Sequence, residues 1–195
     1  MSRALSAARQ HVPTLGRLPA SMAWPAPAQL AGLGTVLCLY HADGSELAGW
    51  QQAVSAHACH GVDSEGIYES VCFCDARGRC VWRLYLLPDT DFLAWDRLVA
   101  RLPQQPAREA GGNVGERLWR RLAGHLGGQR WRVCALRLHA VEQGSGLAAS
   151  LVRLSTPGTA TARRIARLEG AEGDPGLDAC CCASASHAPA RWARP

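Results

Sequence analysis

Hydrophobic and polar positions alternate most regularly between residues 67 and 86. Residues 67–74 alternate between two faces and are rich in residues that suit a pleated strand. Asp75 and Gly78 supply the chemistry of a short turn, because Asp can bond its own backbone and Gly tolerates positive φ. Apolar residues recur at every second position of the return segment until Pro88, which cannot donate to a strand ladder. The pattern therefore predicts a β-hairpin.

The return strand is predicted to turn one face to the core and the other to solvent. The predicted core face carries Cys80, Trp82, Leu84 and Leu86, and the opposite face carries Arg79 and Arg83. An amphipathic helix is predicted next, because N-cap candidates at residues 89–91 precede apolar residues at helical spacing. These apolar residues are Phe92, Trp95, Leu98, Val99 and Leu102.

The remaining elements are assigned by the same rules. Residues 35–40 are predicted as a buried strand, and residues 50–60 as a second strand or an irregular segment. Residues 103–113 have the composition of a linker, and residues 115–126 have the periodicity of a short helix. Residues 130–141 and 147–154 predict a second hairpin around a turn at 143–146. A helix follows over residues 156–169, with Ala162, Ile165, Ala166 and Leu168 facing inward and Arg163, Arg164 and Arg167 facing outward.

The order of elements predicts an α+β fold, an antiparallel sheet built from hairpins and backed by helices. We expect a single domain over residues 28–169, with possible sub-halves at 28–103 and 114–169. A flexible segment over residues 1–27 and a disordered tail over residues 170–195 are expected to flank it, because both are rich in Ala and Pro.

Residues 69–103 resemble the closing unit of the cytoplasmic hemin-utilisation family, which includes the HmuS, ChuS and HemS proteins and the half-length ChuX and HutX proteins. The resemblance lies in a strand that begins at Ser70 and ends in Phe73-Cys74-Asp75, an answering strand that ends in Tyr85-Leu86, and a helix that contains Trp95. A weaker similarity precedes it at residues 30–44. No correspondence is evident beyond Pro103.

This resemblance implies a HemS-like or ChuX-like fold, heme as the cofactor, and a role in hemin transport or utilisation. It implies that a histidine ligates the iron, with His41 ahead of His57 and His60, and that Arg77, Arg79 and Arg83 neutralise the heme propionates. His41 follows a predicted buried strand, although the Thr-Gly-Pro sequence that follows a histidine of this turn in the family is missing here. A water-exposed turn histidine and a solvated arginine face remain the alternatives.

Cysteine and histidine residues cluster at two further places. His57, Cys59 and His60 put three possible metal ligands into four residues, but an extended chain places His60 on the face opposite the other two. Cys72, Cys74 and Cys80 flank the first turn, where core packing is the better explanation and zinc binding the alternative. Cys180, Cys181 and Cys182 lie in the expected tail and lack a second cluster at zinc spacing.

Charge, cysteine content and the lack of catalytic motifs restrict the classes of function that we expect. The formal charge is +5 and every basic residue is Arg, yet no nucleic-acid-binding motif accompanies this charge, so we do not expect nucleic acid as a partner. Nine cysteines, the lack of an apolar signal segment and the lack of a long apolar run predict a cytoplasmic protein with reduced thiols. No catalytic motif occurs in the sequence, so heme degradation rests on the resemblance alone.

Three hypotheses follow. The first is a heme-binding protein that passes heme to an acceptor protein. The second is a cofactor-free protein-interaction module that uses a sheet edge or the arginine face of residues 156–169. The third is a redox-responsive or zinc-responsive regulator that works through its cysteines. Whether the protein forms a homodimer through its sheet edges is left open.

Overall fold

The computed structural model describes residues 24–109, 130–141, 146–173 and 175. Its helices are α1 (Pro27–Ala31), α2 (Ala48–Gln52), α3 (Phe92–Val99) and α4 (Thr156–Glu169). Its strands are β1 (Thr35–His41), β2 (Ser55–Asp63), β3 (Gly66–Cys74), β4 (Cys80–Tyr85), β5 (Gln104–Glu109), β6 (Trp131–Ala140) and β7 (Leu147–Leu151). The first hairpin, the helix after it and the helix over residues 156–169 were all predicted and are confirmed.

The described strands form one sheet in the order β5-β2-β3-β4-β1-β6-β7. Strands β3 and β4 are the predicted first hairpin, and β6 and β7 are the predicted second one. The remaining neighbours are also antiparallel, except that β5 runs parallel to β2. The fold is therefore α+β as predicted, but the expectation of a purely antiparallel sheet is wrong.

Helices cover both faces of the sheet. Trp95 and Leu98 of α3 pack with Trp82 and Leu84 on one face, where α1 contributes Leu30. On the other face α4 packs against β1 and β6, with Ala162, Ile165 and Ala166 buried as predicted and Leu168 half-buried. Arg164, predicted to face outward, is only 17% exposed because it pairs with Asp63. The interior strand β1 is buried on both sides, which explains its nearly continuous apolar sequence.

The predicted linker over residues 103–113 is partly wrong, because residues 104–109 form a strand. Its Gln-rich and Pro-rich composition suggested a loop, but residues Gln104–Glu109 pair with the outer edge of β2. The pairing begins where the backbone N–H of Ala58 donates to the carbonyl of Pro103 at 3.0 Å. Backbone hydrogen bonds to a single neighbour hold an edge strand in place, so neither of its faces has to be apolar. Periodicity therefore could not reveal this strand.

Residues 50–60, predicted as a strand or an irregular segment, hold the end of a helix and the start of a strand. Trp50 lies in the short helix α2, and the strand begins at Ser55. Gly49 makes α2 possible, since a Cβ atom at this position would overlap the backbone of Val81 and the side chain of Trp82. The helix therefore lies directly on β4.

A β-bulge near the start of β4 alters the predicted faces. Phe73 is the partner of Trp82 and Cys74 is the partner of Cys80, so β4 has one more residue than β3 over this step. The Cys80 thiol accordingly lies beside Arg83 and away from the Trp82 core. Its placement on the core face was wrong. Phe92 also departs from the helix prediction, because its side chain is 53% exposed.

The start of α4 is fixed by a hydrogen-bond network that reaches another loop. The Ser155 hydroxyl accepts from the N–H of Gly158 at 3.1 Å, which is the arrangement of a helix N-cap. Asp89, in the loop before α3, accepts from both the N–H and the hydroxyl of Ser155 at 2.9 Å. The carboxylate thus joins the two helices that cover opposite faces of the sheet.

The predicted flexible N-terminal segment and the predicted disordered tail each include residues that belong to the folded domain. Pro27 lies in α1, and Glu172, in the predicted tail, pairs with β6 through its N–H to the carbonyl of Trp131 at 2.7 Å. The predicted helix over residues 115–126 and most of both terminal segments lie outside the described residues, as do Cys180 to Cys182. Among the described helices, none is long and apolar enough to cross a membrane.

Candidate functional site

His41 is the last residue of β1, and its side chain is half-buried. Its ring stacks on that of Trp131, the facing residue of β6, with centroids 4.2 Å apart and planes inclined by 27°. Its carbonyl accepts from the N–H of Gly44, which closes the turn after the strand. Within the described part of the chain, neither ring nitrogen of His41 has a hydrogen-bond partner.

A cavity of about 240 Å³ opens beside this histidine. It is lined by His41, Asp43, Gly44, Ala48, Gly49, Gln52, Arg79 and Val81. The strand end, the turn after it, helix α2 and the β3–β4 turn therefore meet at one place. The cavity is half-open, and pockets that enclose a drug-sized ligand are larger, at about 300–1,000 Å³.

Arg79 reaches this cavity from the hairpin turn. Its Nε and Nη2 donate to Asp75 Oδ2 at 2.9 and 2.8 Å, while Asp75 Oδ1 accepts from the backbone N–H groups of Arg77 and Arg79. These hydrogen bonds from Arg79 and Arg77 hold the pKa of Asp75 below its ordinary value of 3.8. Arg77 is exposed in the same turn. The turn thus orients the Arg79 side chain.

His57 and His60 lie on β2, away from this cavity. His57 faces Cys72 across the β2–β3 pairing, and His60 Nε2 lies 3.0 Å from Gln104 Oε1. The structure brings His41 and Arg79 together and does not bring either of these histidines to them.

Arg83 is buried in a different network. Its side chain faces α4, where Nη1 lies 3.0 Å from the hydroxyl of Tyr85 and 2.9 Å from Glu169 Oε1. Burial alone would lower the pKa of Arg83, but Tyr85 and Glu169 raise it well above its usual value. Of the two interpretations of Arg83 from the sequence, the solvated strand face is therefore wrong, and the guanidinium is already paired with Glu169.

The structure adds Cys59 to the three cysteines that the sequence placed around the first turn, and we call the four together the thiol cluster: Cys59, Cys72, Cys74 and Cys80. The sulfur atoms of Cys59 and Cys72 are 2.9 Å apart, and Cys74 faces Cys80 across β3 and β4. Arg83 Nη2 lies 3.8 Å from the sulfur of Cys80. Hydrogen bonds from the Cys72 and Cys74 thiols and the charge of Arg83 hold the pKa of Cys80 well below its ordinary value.

Over the ranges that the structure describes, no three His, Cys, Asp or Glu side chains are arranged to hold a metal ion. The chain matches no protein-family model and no curated protein.

Proposed function

We propose that the protein binds heme in the cytoplasm and passes it on, as the hemin-utilisation proteins that it resembles do. The observation that carries the proposal is that His41 and Arg79 line the same cavity. His41 has a ring nitrogen available for iron, and its stacking on Trp131 restricts the orientation of the ring. The scaffold would then be of the HemS and ChuX type.

His41 and Arg79 are suited to the two polar parts of heme, the iron and the propionates. A neutral imidazole is a common axial ligand, and a planar guanidinium pairs well with a carboxylate such as a propionate. Arg79 uses Nε and Nη2 for Asp75, which leaves Nη1 for a second carboxylate. Bound heme would supply a redox-active iron, and the role of this chain would be to orient and shield it. The cavity is too small to enclose a porphyrin, so heme would occupy its open side.

The remaining candidates do not enter the proposal. Arg83 is ion-paired with Glu169 and buried, His60 contacts Gln104, and His57 lies beside Cys72. Arg77 is exposed at the same turn and could pair with a second propionate.

Titration of the purified heme-free protein with hemin tests the proposal through the Soret band. We expect saturable one-to-one binding, a loss of affinity of about tenfold or more in His41→Ala, and an unchanged affinity in His139→Ala. His139 is a suitable control because it is exposed on β6 and contacts Ser150. A nonsaturating response of the natural protein would overturn the proposal.

One observation favours a second candidate, the cofactor-free interaction module. Val62 and Ile67 are facing residues at the end of the β2–β3 hairpin, and they are 54% and 71% exposed. An exposed apolar pair at a hairpin end is a possible contact point for another protein. This candidate predicts that hemin produces no saturable spectral change.

A further inference from the structure

The thiol cluster has a geometry that favours one particular disulfide. Cys74 and Cys80 are Cα partners across β3 and β4. Directly opposed residues of antiparallel strands have Cα atoms about 4.5–5.5 Å apart, within the range of about 4.4–6.8 Å that a disulfide spans. The two cysteines lie at the β-bulge of this hairpin, and as facing residues of paired strands they are the pair whose backbone separation suits a disulfide best.

The other close pair is less favourable. Cys59 faces Ser70 and Cys72 faces His57, so the two cysteines are diagonal neighbours on β2 and β3. Diagonal positions have Cα atoms about 7–8 Å apart, at or beyond the limit of about 7 Å for a disulfide. Their sulfur atoms touch, but closing a bond between them would require the backbone to shift.

Cys80 is also the thiol best placed to react. It is not fully buried, unlike Cys38, Cys72, Cys74 and Cys134, and the guanidinium of Arg83 lies beside its sulfur. Arg83 Nε is buried and has no hydrogen-bond partner among the described residues, so its N–H remains able to donate a hydrogen bond. A nearby cation and donated hydrogen bonds favour the thiolate, which is the nucleophilic form of cysteine.

We propose that Cys74 and Cys80 form a reversible disulfide when the protein meets a hydroperoxide, with Cys80 oxidised first and Cys74 as the resolving thiol. The Cys80 thiolate attacks the terminal oxygen of the peroxide, the O–O bond breaks, and the released alkoxide or hydroxide takes a proton from water. The Cys74 sulfur then attacks the sulfenic acid on Cys80. The S–O bond breaks, water leaves with the proton of Cys74, and the S–S bond forms.

The chain contains a matched internal control. Cys38 and Cys134 also face each other across neighbouring strands, β1 and β6, but both are buried in the core. Burial raises the pKa of Cys38 well above its ordinary value. Like Cys74 and Cys80, these two residues face each other across antiparallel strands, but they are fully buried, so we expect them to stay reduced. The proposal does not depend on heme binding.

The experiment treats the full, heme-free chain with hydrogen peroxide, traps the remaining thiols by alkylation, and maps the linked peptides by mass spectrometry after trypsin digestion. Trypsin releases Cys80 in residues 80–83 but leaves Cys38, Cys59, Cys72 and Cys74 together in residues 18–77. A second digestion with chymotrypsin, which cleaves after Tyr68 and Phe73, separates Cys74 from the other three, so a bond from Cys74 to Cys80 appears as one defined pair of linked peptides. We expect the Cys80 thiol to be lost at least about tenfold faster than that of Cys38 or Cys134, because Cys80 is less buried than they are and lies beside the Arg83 cation.

Variants identify the resolving thiol. The linked peptide should disappear in Cys74→Ser, persist in Cys59→Ser and Cys72→Ser, and be reversed by dithiothreitol. Persistence of a link to Cys80 in Cys74→Ser would overturn the assignment of Cys74. Cys80 that remains fully alkylated at peroxide concentrations that oxidise Cys38 or Cys134 would overturn the proposal.

Discussion

Arg83 of β4 and Glu169 of α4 form an ion pair whose Nη1 and Oε1 atoms lie 2.9 Å apart. The pair ties the last residue of the helix to the middle of the sheet. Their side chains are only 10% and 22% exposed, so water screens the pair incompletely. The pair therefore helps to hold α4 against the sheet. It also orients the Arg83 guanidinium beside Cys80.

Glu169→Gln should destabilise the fold, because it leaves the buried charge of Arg83 unpaired. Breaking a fully buried pair costs about 3–5 kcal/mol, and the partial exposure here reduces our expectation to about 2 kcal/mol of the free energy of unfolding. Urea unfolding measures this change. The control is Glu172→Gln, whose partner Arg130 is 61% exposed, and it should cost at most about 1 kcal/mol. Equal losses in the two variants would contradict the account.

Asp63 and Arg164 should make stability depend on pH in the acid range. Burial opposes the charge of Asp63, but Arg164 Nε and Nη2 bind its two oxygens at 2.9 Å, and the pKa falls below its usual 3.8. Because the folded-state pKa is lowered, this stabilisation is present above pH 3.8 and is lost as the pH falls through the folded-state value.

The measurement compares urea unfolding of the natural protein and Asp63→Asn between pH 7 and acid. The difference in unfolding free energy should be largest near neutral pH and shrink as the pH falls below 3.8. Glu65→Gln is the control, since Glu65 is 61% exposed and its carboxylate lies 3.9 Å from Arg164. A difference that does not vary with pH would refute the assigned role of Asp63.

Leu84 tests whether the β3–β4 hairpin and α3 share a core. It is fully buried, so Leu84→Ala should lower the free energy of unfolding by about 2–5 kcal/mol through lost contacts and a cavity. Leu151→Ala is the matched change at a 49% exposed position on β7, and it should cost about 0.5 kcal/mol or less. Similar effects at the two positions would show that the core is misplaced.

Sequence pattern predicted elements with strong side-chain periodicity, such as β3 and α4, because a buried face imposes that periodicity. It missed β5, which backbone pairing alone defines, and the bulge at Cys80, which breaks the two-residue period. The thiol cluster depends on the register between strands, which no single strand encodes. Likewise the partner of Arg83 is distant in sequence, so nothing local indicated that its charge would be compensated.

The central claim is that His41 holds heme iron, and rescue by free imidazole tests it most directly. The Soret band of the hemin complex is recorded for His41→Gly, His57→Gly and His60→Gly before and after imidazole is added. We predict that only His41→Gly has an altered band and that imidazole restores the natural spectrum, because the small ligand replaces the missing side chain. A natural spectrum in His41→Gly without imidazole would contradict the account.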